Sequence, residues 1–369
     1  MPDAPSIFVG VMSGTSLDGI DLVAADFEQG VPHIHASASI PWPEPLRARL
    51  LEVTAPGWRG GWDVMGALHA ELGSCYADAC ARLLNDPALA GRRPRAIGLH
   101  GQTVHHAPHA PHPFSLQLGD ASRVAERCGI PVVYDFRSRD VAAGGEGAPL
   151  VPAAHRAFFH SHDEDRAVLN LGGIANLTLL PASGAVRGFD TGPGNTLLDR
   201  WICHQLDQPF DADGHWARSG RAHPALLSRL LQDPYFAAPP PKSTGTEYFN
   251  LEWLLPQLPP GMAAADVQAT LAALTVETVA QALERSMPGC RRLLVCGGGA
   301  RNSLLMEALR ARLPATGVES TGQHGLPPTL VEATAFAWLA ARTLAGEPGN
   351  LPEVTGAHHP VVLGSILPA

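Results

Sequence analysis

The sequence predicts an α/β protein of two lobes, on three observations. Apolar β-type runs alternate with stretches of helical spacing along the chain, the pattern of sheets with helices packed on them. A strand–glycine-turn–strand unit near the N-terminus returns close to the middle. The length of 369 residues also exceeds what a single hydrophobic core comfortably serves.

Residues 7–12 read as a buried strand, which breaks at Ser13-Gly14-Thr15-Ser16-Leu17-Asp18-Gly19 and resumes over 20–27. Two β-type runs joined by a short Gly/Ser/Asp turn signal a hairpin. Residues 63–84 carry helical spacing through Met65, Leu68, Leu72, Tyr76, Ala79 and Leu83. A short strand at Ala96–Leu99, a helix at Ala121–Cys128 and a strand at 131–134 follow. The second hairpin is 167–171, Gly172-Gly173 and Ile174–Leu180. Helices then read at 195–206, 266–287 and 303–313, with a strand at 293–296 before the last. Pro- and Gly-rich stretches at 105–113, 237–241 and 255–261 read as loops. The polar segment 161–166 precedes the second hairpin. It divides the chain into an N-terminal lobe, 1–163, and a C-terminal lobe, 164–369, with the extreme C-terminus packing back on the first lobe.

Composition narrows the function. Hydrophobic residues make up 45% and charged residues 17%, which is ordinary globular material. A net charge of -9 argues against a nucleic-acid partner, which needs a basic face. It does not exclude an anionic substrate, because helix termini and local donors hold phosphate inside acidic proteins. Six cysteines lack any C-x-x-C pair, and Cys203 and Cys296 sit in apolar segments that read as buried thiols. There is no basic region followed by an apolar stretch at the N-terminus, and no run approaches the roughly 18 apolar residues of a membrane span. A cytoplasmic protein is expected.

Three glycine turns point to a nucleotide. Gly14 to Asp21 form a tight turn in which backbone N–H groups and the Thr15 and Ser16 hydroxyls can approach phosphate oxygens. Asp18 and Asp21 put carboxylates within reach of a magnesium ion or a hydroxyl. A plain surface hairpin explains this one turn equally well. Gly172-Gly173, flanked by Asn170 and Asn176, is a second turn. Gly297-Gly298-Gly299, followed by Asn302, comes after a strand and opens a helix, leaving a flat surface for adenosine. Neither a Walker A loop nor a Rossmann turn in its proper βαβ context is present.

Asp190, in GFDTGPGN at 188–195, sits where a strand gives way to a helix. A carboxylate there can act as general base or simply cap the helix, and on position alone capping is the commoner role. The histidine cluster His100, His105, His106, His109 and His112 lacks the regular spacing or added carboxylate and thiolate ligands of a metal site. His100, Gln102 and Thr103 are better read as polar groups lining a cleft.

Taken together these stretches resemble the anhydro-N-acetylmuramic acid kinases, within the actin-like (ribonuclease H-like) superfamily of sugar kinases. The matching segments are 10–21 (GVMSGTSLDGID), 100–105 (HGQTVH), 135–149 (DFRSRDVAAGGEGAP), 170–176 (NLGGIAN), 188–195 (GFDTGPGN), 242–245 (KSTG), 266–270 (DVQAT) and 297–302 (GGGARN). The resemblance implies a two-lobed actin-like fold with the active site in the interlobe cleft. It implies an ATP- and Mg2+-dependent kinase that opens the 1,6-anhydro ring of 1,6-anhydro-N-acetylmuramic acid and phosphorylates the 6-oxygen, in cell-wall recycling. Asp190 would be the base. Gly14, Thr15, Ser16, Leu17, Asp18, Gly19, Ile20, Asp21, Gly172 and Gly173 would hold the phosphates, and Gly297, Gly298, Gly299 and Asn302 would face adenosine. His100, Gln102, Thr103, Asp135, Arg137, Glu146 and Gly147 would face the sugar. No metal would be held by protein alone, Mg2+ arriving with ATP near Asp18; a homodimer is a family expectation. Two departures concern the sugar's lactyl carboxylate. Glu146 stands where glutamine is expected and Thr246 where arginine is expected, leaving Arg137 and Arg139 as carboxylate partners. The alternatives are a kinase of an ordinary reducing amino sugar and a nucleotide-dependent sensor or chaperone-like protein of the same fold.

Overall fold

The computed structural model describes residues 6–14, 17–55 and 57–369. Strand β1 (Phe8–Met12) is buried along its whole length, as an all-apolar run with partners on both edges must be. It pairs antiparallel with β2 (Gly19–Asp26), which pairs antiparallel with β3 (His33–Pro41). On its other edge β1 runs parallel to β4 (Ala96–Leu99). A separate two-stranded hairpin, β5 (Gln102–Ala107) and β6 (Phe114–Leu118), precedes β7 (Val132–Tyr134), which lies parallel to β4. The helix Trp62–Leu84 buries Leu68, Leu72, Tyr76 and Leu83 in the core beneath this sheet, together with Val124 and Ala125 of the helix Ala121–Cys128. The shorter helix has its sequence signals at both ends. Asp120 accepts from the Ser122 N–H, and Gly129, at φ 62°, closes the last turn.

The second unit repeats the plan. Strands β8 (Arg166–Leu171), β9 (Ile174–Leu180) and β10 (Arg187–Pro193) form an antiparallel meander. Strand β11 (Arg292–Cys296) lies parallel to β8, and β12 (Gly317–Ser320) parallel to β11. The order β10-β9-β8-β11-β12 is therefore that of β3-β2-β1-β4-β7. In each, an antiparallel meander precedes parallel strands added at the opposite edge of its first strand. This is the ribonuclease H-like sheet, built twice. The helix Ala264–Ser286 supplies much of the second core through Val267, Leu271, Leu274, Val279 and Leu283.

The chain then returns to the first unit. One compact unit holds the chain up to Phe158 together with Leu330–Ala369, and the other is Phe159–Thr329. The helix Val331–Leu344 lies against β1 and β4 so closely that a Cβ on Gly10 would strike the Ala333 carbonyl and one on Gly98 the Phe336 carbonyl. Strand β13 (Ser365–Leu367) then adds antiparallel to β7. The structure thus divides the chain at 158/159 rather than 163/164, and the whole of Leu330–Ala369, not only its extreme end, packs in the first unit. Close packing of alanines on two strand glycines is what draws it back. Among the described residues, no helix is long and apolar enough to cross a membrane. Cys296 is buried as expected, whereas Cys203 is exposed on the helix Thr196–Leu206.

Candidate active site

In the first unit, Thr15 and Ser16 lie outside the described residues. Around them the turn is held by its neighbours. The Leu17 N–H donates to the Gly14 carbonyl at 3.2 Å, and Leu17 takes a left-handed φ of 57°. Gln102 Nε2 donates to the Gly14 carbonyl at 3.2 Å, and Ser13 Oγ pairs with the Tyr76 hydroxyl at 2.6 Å. Leu17 and Ile20 are core residues, so a ligand would meet them only through backbone. Asp18 is exposed beside the turn. Asp21 is close enough to Glu332, on the returning helix, to raise that carboxyl above its usual range, after burial, with Arg137 opposing.

The loop after β7 gathers most of the expected sugar residues. Asp135 sits at φ 52°, and its Oδ1 accepts from Ser138 Oγ at 2.6 Å. Arg137 donates through Nη2 to His100 Nε2 at 2.9 Å and through Nη1 to the Gly147 carbonyl at 2.8 Å. The loop is fixed by the buried Asp140. One of its oxygens accepts from Asn350 at 2.7 Å and Thr355 at 2.8 Å, the other from the Gly147 N–H at 2.8 Å. Thr103 Oγ1 accepts from Gln117. Exposed Glu146 faces His109 of the hairpin tip at 3.8 Å. A cavity of about 320 Å³ opens at the carboxyl ends of β4 and β7, lined by His100, Gly101, Gln117, Asp120, Asp135 and Ser138 among others. Such strand ends are where ligands bind in α/β sheets.

In the second unit, the second and third glycine turns lie side by side, because β8 and β11 are parallel neighbours. A Cβ on Gly297, which has φ 82°, would strike Asn170, and one on Gly299 would come within 2.6 Å of Leu171 Cβ. A Cβ on Gly298 would meet nothing within 4 Å among the described residues. The carbonyls of Gly172 and Gly173 accept from the backbone N–H groups of residues 194–196, and Thr275 Oγ1 holds the Gly194 carbonyl at 2.9 Å. Asn302 caps the helix Ser303–Arg312. Thr246 lies beside Gly173.

Asp190 is inside β10, next to a bulge between Asp190 and Gly192, rather than at the strand end. Pro193 is likewise the last strand residue, and Asn195, at the N-cap position, turns its amide back to the Leu171 and Gly172 carbonyls. The Asp190 carboxylate does not cap the helix; its Oδ2 accepts from the Thr244 N–H at 3.0 Å. Burial raises its pKa to about 6, against the opposing Thr244 hydrogen bond and the Lys242 charge. A carboxylate so tuned remains mostly ionised at neutral pH yet is basic enough to take a proton.

Sequence reasoning missed Glu332, Tyr235 and Lys242, and read Tyr76 only as a core residue of its helix. Lys242 and Thr244 belong to the KSTG segment, which was a signal available. Glu332 lies in an alanine-rich stretch that offers none. Among the described residues no group of three or more histidines, cysteines or carboxylates could hold a metal.

The doubled ribonuclease H-like sheet defines the actin-like fold class, which sugar kinases share, and the glycine turns and Asp190 form the candidate site it carries. The chain belongs to the anhydro-N-acetylmuramic acid kinase family, whose model matches residues 6–369. It is 52% identical over 367 residues to the anhydro-N-acetylmuramic acid kinase of Xanthomonas campestris pv. campestris (strain 8004), covering 98% of this chain and 97% of that one. It is 50% identical over 372 residues to the protein of the same name from Xylella fastidiosa (strain Temecula1 / ATCC 700964), covering 100% and 98%. A solved structure, the (R)-2-hydroxyglutaryl-CoA dehydratase component A of Acidaminococcus fermentans, superposes with a TM-score of 0.48 at 12% identity, covering 91% of this chain and 99% of that one.

Proposed function

We propose that this kinase uses ATP and water to open the 1,6-anhydro ring of 1,6-anhydro-N-acetylmuramic acid and phosphorylate the freed 6-oxygen, giving N-acetylmuramic acid 6-phosphate and ADP. The observation that carries the reading is Asp190, a half-buried carboxylate whose pKa partial burial raises to about 6 and which accepts one backbone hydrogen bond, within a family match that runs from residue 6 to 369. Asp190 takes a proton from water, the water oxygen bonds to the anomeric carbon, and the ring C–O bond breaks toward the 6-oxygen. That oxygen then takes the γ-phosphoryl group. Gly14 to Asp21 and Gly172-Gly173 offer backbone donors to the phosphates, while Gly297 to Gly299 and Asn302 face adenosine; the open Gly298 supports that assignment.

Magnesium fits the residues present. Asp21 and Glu332 form a repelling carboxylate pair, and Asp18 is exposed beside the turn, so an ion carried in with ATP would find acidic partners. When bound, such an ion offsets charge on the transferring phosphoryl group. On the sugar side, His100, Gln102, Thr103, Asp135, Glu146 and Gly147 shape the site and Arg137 holds the lactyl carboxylate. Glu146 has His109 as its neighbour and Thr246 sits by Gly173, so neither departure brings a cation, and half-buried Arg137 suits the role better than exposed Arg139. We read the enzyme as a cytoplasmic homodimer engaging neither nucleic acid nor membrane, from its acidic charge and its family. Mass spectrometry of product made in oxygen-18 water tests the chemistry. Label at the anomeric hydroxyl is expected. Unlabelled product, under conditions that exclude hydroxyl exchange, would instead mark a kinase of an ordinary reducing amino sugar.

A further inference from the structure

The segment 235–244 forms a strap across β10 at Asp190, and it is fastened at both backbone groups of that residue. The Asp190 N–H donates to the Lys242 carbonyl at 3.1 Å, and the Asp190 carbonyl accepts from the Tyr235 hydroxyl at 2.9 Å. The Thr244 N–H then reaches the carboxylate itself. What closes the strap on itself is Lys242. Its Nζ donates to the Tyr235 carbonyl at 2.9 Å, approaches the Phe236 carbonyl at 3.4 Å, and lies 4.5 Å from the centre of the Tyr235 ring. Arg285 supports the same corner by donating to the Phe236 carbonyl at 2.9 Å.

The ammonium is near Asp190 but forms no ion pair with it. A contact pair would pull the carboxyl far down and remove its basicity. Here the cation is satisfied by two carbonyls and a ring face, leaving the carboxylate a single backbone donor among the described residues. We propose that Lys242 is a positioning residue for Asp190: it fastens the strap against β10 and holds a positive charge close to the carboxylate without occupying it. The proposal rests on Asp190 being the base. Burial and Arg285 lower the Lys242 pKa, and Asp190 opposes them. Burial, then Asp190, raises the Tyr235 phenol. The charged and titratable groups in play are therefore Asp190, Lys242, Tyr235 and Arg285.

The test compares Lys242→Met, Lys242→Gln, Lys242→Arg and Asp190→Asn in the full-length enzyme, recording kcat and both KM values against pH, with thermal melts alongside. Methionine keeps the stem on the Tyr235 ring but loses charge and donor; glutamine keeps a donor without the charge. Lys242→Met should lower kcat about tenfold and move the acid limb of kcat/KM up by about one pH unit, with the KM for ATP unchanged. Lys242→Gln should recover part of kcat but keep the displaced limb, and Lys242→Arg should restore both. If Lys242→Met fails to fold, the glutamine and arginine variants carry the test. An undisplaced acid limb in the folded neutral variants overturns the proposal, as does a loss of activity that merely tracks a loss of folded protein. Near-normal turnover by Asp190→Asn would instead remove the reading on which the proposal rests, so the two failures are distinguishable.

Discussion

Arg137 donates to His100 Nε2 at 2.9 Å, and the other ring nitrogen of His100 lies 2.7 Å from the Gly101 carbonyl. A carbonyl can only accept, so Nδ1 carries the hydrogen and Nε2 presents its lone pair to the guanidinium. Burial and the Arg137 charge hold the imidazole well below its ordinary pKa, so His100 is neutral. Both its nitrogens are engaged, which makes it a support for Arg137 as much as a lining of the cavity.

Arg137 is itself half-buried, and burial lowers its pKa to about 10. Its bonded partners are the neutral His100 and the Gly147 carbonyl, and among the described residues none is a carboxylate within ion-pair distance. A guanidinium so placed has capacity for an anion. Arg137→Met should therefore raise the KM for the anhydro sugar by about 10- to 100-fold, the worth of a hydrogen bond to a charged group. The KM for ATP should stay put. Steady-state kinetics with each substrate varied checks this; equal effects on both KM values would point to a general loss of the loop's structure. A substrate lacking the lactyl carboxylate should lose its disadvantage on the variant.

The raised pKa of Asp190 makes both activity and stability depend on pH. Below about pH 6 the carboxyl is protonated, so kcat/KM should fall about tenfold per unit on its acid side. Asp190→Asn should abolish turnover while ATP binding, read by calorimetry, persists. The stability effect has the opposite sense. A carboxyl whose folded pKa lies above its unfolded 3.8 favours the fold fully below pH 3.8 and loses that contribution as pH rises through about 6. The ionised group is thus a cost at neutral pH, at most about 3 kcal/mol. Asp190→Asn should melt higher than the parent at pH 7.5, with the gap closing toward pH 4. A lower melting temperature at pH 7.5 would show that the Thr244 contact outweighs burial.

The third glycine turn separates packing from binding. Gly297 and Gly299 are closed in by Asn170 and Leu171, whereas Gly298 has open space around it. Gly298→Ala should melt within about 1 °C of the parent, since surface changes seldom exceed ±0.5 kcal/mol. It should still raise the KM for ATP several-fold, about 1 kcal/mol of lost contact, if adenosine rests on this turn. Gly299→Ala should lose stability as well, because its new Cβ would lie 2.6 Å from that of Leu171. Unchanged ATP kinetics in Gly298→Ala would move the adenosine elsewhere.

Local signals made much of this molecule legible. Glycine turns between apolar runs gave both hairpins, and helical spacing gave the helices Trp62–Leu84 and Ala264–Ser286 to within two residues at each end. Long-range placement was not legible. The helix Val331–Leu344 is buried on several sides, so it carries no polar face to announce it, and its return to the first unit depends on Gly10 and Gly98 far upstream. Lys242 and Tyr235 act on Asp190 across a gap of many residues, through contacts that no period encodes. Asn195 is of a type that caps helices and stands at the N-cap position, but the carbonyls of Leu171 and Gly172 engage its side chain instead.

Tyr76 shows the same limit at the first turn. Its spacing marks it as a core residue, and it is fully buried with its ring edge-on to Trp42 at 5.5 Å. Its hydroxyl, however, pairs with Ser13, which among the described residues otherwise reaches only the Gly101 carbonyl, at 3.3 Å. Burial pushes the phenol up, so the hydroxyl stays protonated and the pair holds at any working pH. Tyr76→Phe removes that single bond and keeps the ring. Denaturant unfolding should register a loss of about 1 kcal/mol. If Ser13 anchors the phosphate turn, the KM for ATP should rise about threefold or more, with the sugar KM and the acid limb unmoved. A stability loss with unaltered ATP kinetics would confine Tyr76 to the core and leave Gln102, bonded to Gly14, as the anchor of that turn.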